Sequence, residues 1–165
     1  MIPHPDAEAI ALGCAVVTVS DTRTVETDKS GQIAQQLLTD AGHTIIDYLI
    51  VPDEPTQIRD LLTKLAQNSQ IEAIIFNGGT GIAPRDTTYD VISNWLDKTL
   101  PGFGEIFRYL SYQEIGSRAI ASRAVAGVKN QQLVFSLPGS SNAVKLGVRE
   151  LILPELTHLV RQLNQ

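Results

Sequence analysis

The sequence is poor in the residues that build covalent and metal cross-links. Its 165 residues include one cysteine, Cys14, and three widely separated histidines, His4, His43 and His158. A single cysteine excludes an intrachain disulfide and a cluster of zinc-bound thiolates, and the histidines lack the close spacing of metal ligands. Cys14 falls in an apolar segment and is interpreted as a small core residue. So little cysteine is typical of a reducing compartment, and we expect the chain in the cytoplasm.

Long apolar runs and an excess of positive charge are also missing. No apolar segment approaches the roughly 20 residues that cross a bilayer, and Met1–Asp6 lack the pattern of a secretory signal. The net charge is −5, whereas broad nucleic-acid binding needs a basic surface. We therefore expect neither a membrane nor a nucleic acid as partner. A small phosphorylated ligand is compatible with this charge if local arginines, helix N-termini or a divalent metal receive it.

Short apolar strands alternate with amphipathic helices along the sequence. Apolar residues make up 43% and charged residues 19%, which is typical of a globular domain. We predict a flexible N-terminal tail over residues 1–12 and a single domain over residues 13–165. The predicted strands are Ala15–Val19, Thr44–Val51, Ala73–Phe76, Arg123–Val128 and Gln131–Leu137. The predicted helices begin near Ser30, Pro55, Thr87, Gly102 and Ser140.

The order of these elements predicts an α/β fold. Strand–helix alternation is typical of a mostly parallel, doubly wound sheet with helices on both faces, a three-layer α/β/α arrangement. The turn at Lys129–Asn130 separates two strands, so part of the sheet is expected to be antiparallel. Ser30 is a plausible N-cap, and Thr87 and Asp90 have the spacing of a capping box. Pro154 is expected to interrupt or kink the last helix.

The loop Gly78–Gly81 is the most informative segment, because three glycines surround Thr80 directly after the strand Ala73–Phe76. A backbone without side-chain bulk can turn its N–H groups towards an anion. The segment Ile82–Thr88 then adds an arginine, a carboxylate and two hydroxyls. The loop is not a P-loop, since no lysine follows it, and not a dinucleotide fingerprint, since position 84 is Pro84. We predict a phosphate or polar-ligand site of another kind, the alternative being a tight turn without a ligand.

Four polar loops follow predicted strands. Ligands of doubly wound sheets bind beyond the carboxyl ends of the strands, so we expect these loops to meet at one edge of the sheet. The four loops are Ser20–Arg23, Pro52–Glu54, Gly78–Thr88 and Pro138–Asn142.

Charged and hydroxyl side chains on these loops each allow two interpretations. Asp53 and Asp86 precede predicted helices, where a carboxylate stabilises exposed N–H groups. The same pair on neighbouring loops is also what a Mg²⁺–phosphate complex requires. Ser140 and Ser141 either cap the last helix or lie where its N-terminus receives an anion. The basic candidates, each of which is alternatively a solvated surface charge, are Arg23, Lys29, Arg85 and Lys145.

An ordered set of motifs extends this reasoning to nearly the whole chain, from about Gly13 to the last helix. The motifs are Thr18–Arg23, Asp28–Gly31, Val51–Asp53, Asn77–Gly81, Arg85–Thr88, Pro101–Glu105 and Leu137–Ser140. Together they resemble the MoaB/MogA family of molybdenum-cofactor biosynthesis proteins, to which the plant and gephyrin G domains are similar. The segments Arg108–Gly116 and Ser122–Gly127 look closer to the MoaB branch. Asn77 stands where the family usually has threonine, and its amide can keep the hydrogen-bonding role.

The resemblance implies a three-layer α/β domain that assembles as homotrimers, or as homohexamers in the MoaB branch. It implies adenylylation of molybdopterin with Mg-ATP, which gives adenylyl-molybdopterin and pyrophosphate. Asp53 and Asp86 take the positions of the family's catalytic aspartates and are the implied Mg²⁺ ligands. The implied substrate-binding residues are Ser20, Asp21, Gly78, Gly79, Thr80, Gly81, Arg85, Thr87, Pro138, Gly139, Ser140 and Ser141.

Two functions without turnover are the alternatives. A pterin or nucleotide carrier, or a scaffold for other cofactor-synthesis proteins, would use a similar pocket but need not keep both Asp53 and Asp86. A nucleotide-binding regulator with an unrelated ligand is a third possibility. The presence of both aspartates favours the enzyme.

Overall fold

Strands and helices alternate along residues 10–165, the part of the chain that this computed structural model describes. The strands are β1 (Gly13–Val19), β2 (Thr44–Val51), β3 (Ala73–Asn77), β4 (Lys98–Thr99), β5 (Val125–Lys129) and β6 (Gln132–Leu137). The α-helices are α1 (Lys29–Asp40), α2 (Pro55–Ala66), α3 (Thr88–Trp95), α4 (Pro101–Ile115), α5 (Ser141–Gly147) and α6 (Leu153–Leu163). A 3₁₀ helix covers Gly116–Ala121, and a π-helical turn covers Val148–Ile152.

The six strands of the described chain form one sheet in the order β2-β1-β3-β6-β5-β4. The first four pair in parallel, whereas β5 runs antiparallel to β6 and β4 runs antiparallel to β5. The predicted mostly parallel sheet with an antiparallel part is confirmed. The sequence analysis missed β4, because its two residues, Lys98 and Thr99, are both exposed and carry no apolar pattern.

Side chains that alternate along the buried strands divide the core into two layers. Cys14 and Val16 of β1 pack with α1, α4, α5 and α6 on one face, whereas Ala15 and Val17 pack with α2 and α3 on the other. Helices therefore cover both faces, and the three-layer α/β/α prediction is confirmed. Burial raises the pKa of the Cys14 thiol to about 12, which fits the interpretation of this cysteine as a core residue.

The strands β5 and β6 form a hairpin with a two-residue turn at Asn130 and Gln131. Both residues have positive φ, 47° and 67°, the backbone shape that matches the twist of hairpin strands. The turn lies one residue later than predicted, because Lys129 still belongs to β5. Since β5 is antiparallel, its first residue, Val125, lies opposite Ser136, near the carboxyl end of β6.

Two predicted helix caps differ in the structure. Asp28, and not Ser30, is the N-cap of α1, because the Asp28 carboxylate accepts a backbone N–H of the first helical turn at 3.1 Å. Thr87 precedes α3, but its side chain makes no capping bond there. The predicted capping box with Asp90 is therefore wrong, and the Thr87 hydroxyl donates to Asp53 at 2.6 Å instead.

The last helical region is interrupted where Pro154 was expected to disturb it. The helix α5 ends at Gly147, and the π-helical turn separates it from α6. Pro154 lies in the first turn of α6, where its missing N–H would have no partner within the helix. The predicted interruption is confirmed.

The predicted tail falls mostly outside the described residues, which begin at residue 10. Leu12, at the end of that predicted tail, is only 2% exposed, and its N–H donates to Nδ1 of His43 at 3.2 Å. The packed domain therefore includes Leu12, one residue before the predicted boundary. Within residues 10–165, no helix combines the length and the apolar character that crossing a membrane requires.

Candidate functional site

The four polar loops meet at the carboxyl ends of β1, β2, β3 and β6. Arg23 Nη2 donates to the carbonyl oxygen of Gly139 at 2.9 Å and joins the loops after β1 and β6. The N–H of Asp53 donates to Asp21 Oδ1 at 3.1 Å, and the Thr87 hydroxyl donates to Asp53 Oδ1 at 2.6 Å. These two bonds join the loops after β1, β2 and β3, so the predicted convergence is confirmed.

A cavity of about 500 Å³ lies between the loops after β1, β3 and β6 and a wall formed by α4 and the 3₁₀ helix. Asp86 is the one carboxylate that lines it among the described residues, and Arg23 and Arg118 are its basic residues. The predicted site residues in its lining are Ser20, Gly78, Gly79, Thr80, Gly81, Asp86, Pro138, Gly139 and Ser140. The predicted site residues outside its lining are Asp21, Asp53, Arg85, Thr87 and Ser141.

The glycine loop has a shape that only glycine tolerates at two positions. Gly78 and Gly79 have positive φ, 106° and 67°. A Cβ at Gly78 would lie 2.2 Å from the carbonyl oxygen of Val19, and a Cβ at Gly79 would lie 2.1 Å from Thr88 Oγ1. Any larger residue would therefore be both strained and blocked. Part of the glycine signal thus reflects close packing of the loop.

The same loop lines the cavity and has three N–H groups without an acceptor among the described residues. The N–H of Gly78 donates to Leu137, but those of Gly79, Thr80 and Gly81 have no acceptor within residues 10–165. Three successive N–H groups without a protein acceptor form a favourable place for an anion. An anion site at this loop stays a prediction.

Asp86 lies in the same cavity with one oxygen open. Its Oδ2 accepts the N–H of Ala83 at 3.1 Å, whereas Oδ1 has no hydrogen-bond donor within the described chain. A Cβ at Gly81 would lie 2.7 Å from Oδ2, so the glycine leaves room for the carboxylate. The open oxygen can bind a cation or accept a hydrogen bond from a ligand.

Asp53 lies behind the glycine loop and is only 6% exposed. Its Oδ1 accepts the N–H and hydroxyl of Thr87, at 3.2 and 2.6 Å, and the hydroxyl of Thr88, at 3.2 Å. A Cβ at Gly79 would lie 2.4 Å from its Oδ2. Asp53 therefore fixes the start of α3 against the glycine loop.

Two carboxylates that could bind a magnesium ion lie beside this loop, those of Asp53 and Asp86. No group of three or more metal-binding side chains (His, Cys, Asp, Glu) occurs in the described part of the chain. Mg²⁺ needs only one or two carboxylates, since substrate phosphates and waters complete its shell. The open oxygen of Asp86 fits such an ion, whereas Oδ1 of Asp53 is already occupied by protein donors.

A buried polar network, which we define as Thr18, Arg23, Asp28, Ser30, Tyr48 and Asn77, lies beneath the loop after β1. The Asp28 side chain is fully buried, and the hydroxyls of Thr18 and Tyr48 each donate to it at 2.5 Å. Burial alone would raise the pKa of Asp28, but these hydrogen bonds outweigh burial and lower it. Arg23 Nη1 lies 3.4 Å from Asp28 Oδ1 and donates to Ser30 Oγ at 2.6 Å. These contacts therefore fix the orientation of the Arg23 side chain beside the cavity.

Asn77 connects the buried network to the glycine loop that follows it. Its Nδ2 donates to Thr18 Oγ1 at 2.8 Å, and its Oδ1 accepts from Ser30 Oγ at 2.7 Å. The amide therefore makes hydrogen bonds in both directions, as the sequence analysis expected.

Arg85 contacts neighbouring loops outside the cavity lining. Its Nε and Nη2 donate to the two oxygens of Asp21 at 2.8 and 2.9 Å, and its Nη1 donates to Glu54 at 2.6 Å. The hydrogen bond from Arg85 is the main cause that lowers the pKa of Asp21. In this arrangement Arg85 joins three loops on their outer side.

Comparisons with known proteins show the family of this chain. Residues 15–158 match a family model described as a probable molybdopterin binding domain. Molybdenum cofactor biosynthesis protein B of Bacillus subtilis is 54% identical over 153 residues, which cover 92% of this chain and 90% of that protein. The chain belongs to the MoaB/MogA family of molybdenum-cofactor biosynthesis proteins.

Other members of the MoaB/MogA family are similar over the same length. The protein of the same name from Halalkalibacterium halodurans is 53% identical over 151 residues, which cover 91% of this chain and 89% of that protein. A crystal structure of a molybdenum cofactor biosynthesis protein B has a TM-score of 0.93 and 46% identity, covering 96% of this chain and 99% of that one. The role of this chain is therefore in molybdenum-cofactor biosynthesis.

The residues that form one wall of the cavity in this MoaB/MogA family member were not predicted from the sequence. Arg118 makes no hydrogen bond or ion pair with the described residues, and the buried Oγ of Ser122 has no partner among them. Both residues therefore have unused hydrogen-bonding capacity beside the cavity. The residues of this wall are Phe107, Ser111, Ile115, Arg118, Ala121 and Ser122.

Proposed function

We propose that the chain transfers the adenylyl group of ATP to molybdopterin. The observation that carries the proposal is the row of unpaired N–H groups at Gly79, Thr80 and Gly81 in one cavity with the open oxygen of Asp86. Amide groups of this kind suit phosphate oxygens, and a carboxylate suits a metal-bound phosphate. The family's molybdopterin-binding domain covers this cavity.

The proposed reaction needs no nucleophilic side chain. A phosphate oxygen of molybdopterin forms a bond to the α-phosphorus of ATP, the bond from that phosphorus to the bridging oxygen breaks, and pyrophosphate leaves with the electron pair. Reactions of this type depend on positioning and on stabilisation of charge. The glycine-loop amides, Arg23 and Arg118 are placed to offset negative charge in the cavity. Mg²⁺ held by Asp86, with Asp53 behind the loop, would supply further charge neutralisation at the phosphates.

The test is to mix the protein with Mg-ATP and purified molybdopterin and to measure adenylyl-molybdopterin and pyrophosphate by chromatography. We expect product from the natural chain and at least about a 100-fold lower rate for Asp86→Ala, since loss of a charge-organising group in an active site costs this much. The fold should remain, because within residues 10–165 the Asp86 side chain accepts a single hydrogen bond, from a neighbouring N–H. Asp60→Ala, on the exposed side of α2, is the matched control. Full turnover by Asp86→Ala would contradict the assignment.

The second candidate is a protein that binds pterin or nucleotide without turnover. One observation favours it: Oδ1 of Asp53 already accepts three protein hydrogen bonds, so this aspartate has a structural role that a carrier would also need. The same assay separates the two candidates. Binding of ATP or molybdopterin by calorimetry, with no product after prolonged incubation with both, would support the carrier.

We further propose that the chain self-associates, as the resemblance to trimeric and hexameric relatives implies. An exposed apolar stripe runs along α4 at Ile106, Tyr109, Tyr112 and Ile115, which are 50%, 62%, 61% and 56% exposed. Ile120, 84% exposed, extends the stripe onto the 3₁₀ helix. A patch of this kind on an isolated chain is typical of an association surface. Light scattering should give three or six times the chain mass of 17.9 kDa, and a monomer would contradict the proposal.

We also propose that the protein acts in the cytoplasm, because the proposed reaction consumes ATP. Cell fractionation would test this location.

A further inference from the structure

The segment that carries Asp86 has almost no apolar support. Ile82–Arg85 are exposed, and Ile82 is 78% exposed. We call residues 82–86 the exposed turn. Within it the N–H of Asp86 donates to the carbonyl oxygen of Ala83 at 2.9 Å, and the Asp86 carboxylate accepts the N–H of Ala83 at 3.1 Å. The direction of the carboxylate therefore follows the shape of the turn, and burial cannot set that shape.

Arg123 holds the two ends of the exposed turn with one guanidinium group. Its Nη2 donates to the carbonyl oxygens of Gly81, at 2.7 Å, and Asp86, at 3.1 Å. Its Nε donates to Gly81 again at 3.0 Å, and its backbone N–H donates to the carbonyl oxygen of Thr80 at 3.3 Å. A single side chain therefore joins the end of the glycine loop to the residue whose carboxylate lines the cavity.

The guanidinium group is itself held in one orientation. Nη1 donates to both oxygens of Asp90 at 3.2 Å, and the group lies 4.7 Å from the centre of the Tyr89 ring. Tyr89 and Asp90 are in the first turn of α3, directly after the exposed turn. A planar group with several donors suits simultaneous bonds of this kind, which a lysine ammonium can make only in part.

We propose that Arg123 is a positioning residue of the candidate site. It fixes the separation of the Gly81 and Asp86 carbonyls and thereby directs the Asp86 carboxylate into the cavity. Arg123 does not line that cavity, so it acts through Asp86. The consequence for rate rests on the proposed adenylyl transfer, whereas the consequence for the shape of the turn does not.

The test compares Arg123→Gln and Arg123→Lys with Arg59→Gln. Arg59 is the control for the loss of one arginine, because it is exposed on α2 and its side chain makes no hydrogen bond with the described residues. The first readout is amide hydrogen exchange at Ala83 and Asp86, whose N–H groups are hydrogen-bonded inside the turn. The second readout is kcat and KM for ATP.

We expect Arg123→Gln to speed exchange at both amides by about tenfold or more, since local opening is controlled by local contacts. The expected kcat is about 100-fold lower with KM for ATP within about threefold, because small misplacement of a catalytic group acts on the transition state. Arg123→Lys should lie between, and Arg59→Gln should change neither readout.

Unchanged exchange at the two amides in Arg123→Gln would overturn the proposal. Faster exchange spread equally over the whole chain would also overturn it, because a general loss of stability would then be the cause. If Arg123→Gln does not fold, Arg123→Lys is judged by the same two outcomes. If the natural chain makes no adenylylated product, the proposed reaction fails, and the exchange measurement alone still decides the role of Arg123.

Discussion

The loop after β1 and the exposed turn after β3 border the same cavity, but different forces hold them. The loop after β1 rests on the buried network, in which Asp28 is fully buried and accepts hydroxyl donors at 2.5 Å. The exposed turn is held by two arginines: Arg123 donates to the backbone at its ends, and Arg85 connects it to Asp21 on the outer side. One side of the cavity thus rests on a buried carboxylate and the other on arginine side chains that hold an exposed segment.

This difference indicates how the site can respond to its surroundings. Hydrogen bonds to a buried carboxylate are strong because the low local dielectric favours them and their loss leaves unpaired donors. Ion pairs at the surface are weak and are screened by salt. The side built on Asp28 is therefore expected to stay fixed while the side that carries Asp86 adjusts to a ligand.

Replacement of Asp28 should have the largest effect on stability. Asp28→Ala leaves the hydroxyls of Thr18 and Tyr48 and the guanidinium of Arg23 without their shared acceptor. We expect the free energy of unfolding to fall by about 3 kcal/mol, as for other broken buried pairs. Urea unfolding followed by circular dichroism measures it, with the exposed Asp60→Ala as control. If Asp28→Ala lowered the free energy of unfolding no more than Asp60→Ala does, the buried network would not hold its side of the cavity more firmly than the other side is held.

Gly79 packs against Thr88 and Asp53, and its replacement should have an intermediate effect. A Cβ there meets Thr88 Oγ1 at 2.1 Å and Asp53 Oδ2 at 2.4 Å at a φ of 67°. Gly42 has a φ of 90° with nothing within 4 Å of its Cβ, so Gly42→Ala measures backbone strain alone. We expect about 1 kcal/mol for Gly42→Ala and about 1 kcal/mol more for Gly79→Ala, from overpacking. Equal values in urea unfolding would show that the loop moves aside freely.

The smallest effect is expected at Arg85, on the outer side of the exposed turn. Arg85 and its partners Asp21 and Glu54 are exposed by 53%, 39% and 45%. Arg85→Ala should therefore shift the midpoint of urea unfolding only slightly. The change should shrink further in about 1 M salt, where screening acts over roughly 3 Å. A large, salt-independent loss, measured against the exposed Arg59→Ala, would show that this turn is held as firmly as the buried side.

The sequence was sufficient to predict the meeting of the four loops, because the carboxyl ends of parallel strands share one edge of a sheet. It also predicted that Asp86 and the glycine loop belong together. Sequence could not separate the two carboxylates, since Asp53 and Asp86 both precede helices. Only the packing of Thr87 and Thr88 on Asp53 distinguishes the buried one.

Arg118, Ser122 and Arg123 were missed for a topological reason. Ligand sites of doubly wound sheets are expected after parallel strands, whereas these three residues precede β5, which is antiparallel. The amino end of an antiparallel strand lies at the same edge as the carboxyl ends of its parallel neighbours. The sequence predicted the hairpin. An antiparallel β5 already implies that the residues before it lie at the edge of the sheet where the cavity is, but those residues were not predicted to belong to the site.

The hairpin turn at Asn130 and Gln131 has a practical consequence. It lies at the end of the sheet opposite to the cavity, since the other end of β5 lies level with the last residues of β6. A fluorescent label, an affinity tag or a short inserted peptide at this turn would therefore stand a full strand length from the glycine loop. The protein can therefore be labelled or immobilised at this turn without any change in the sequence of the loops that form the cavity.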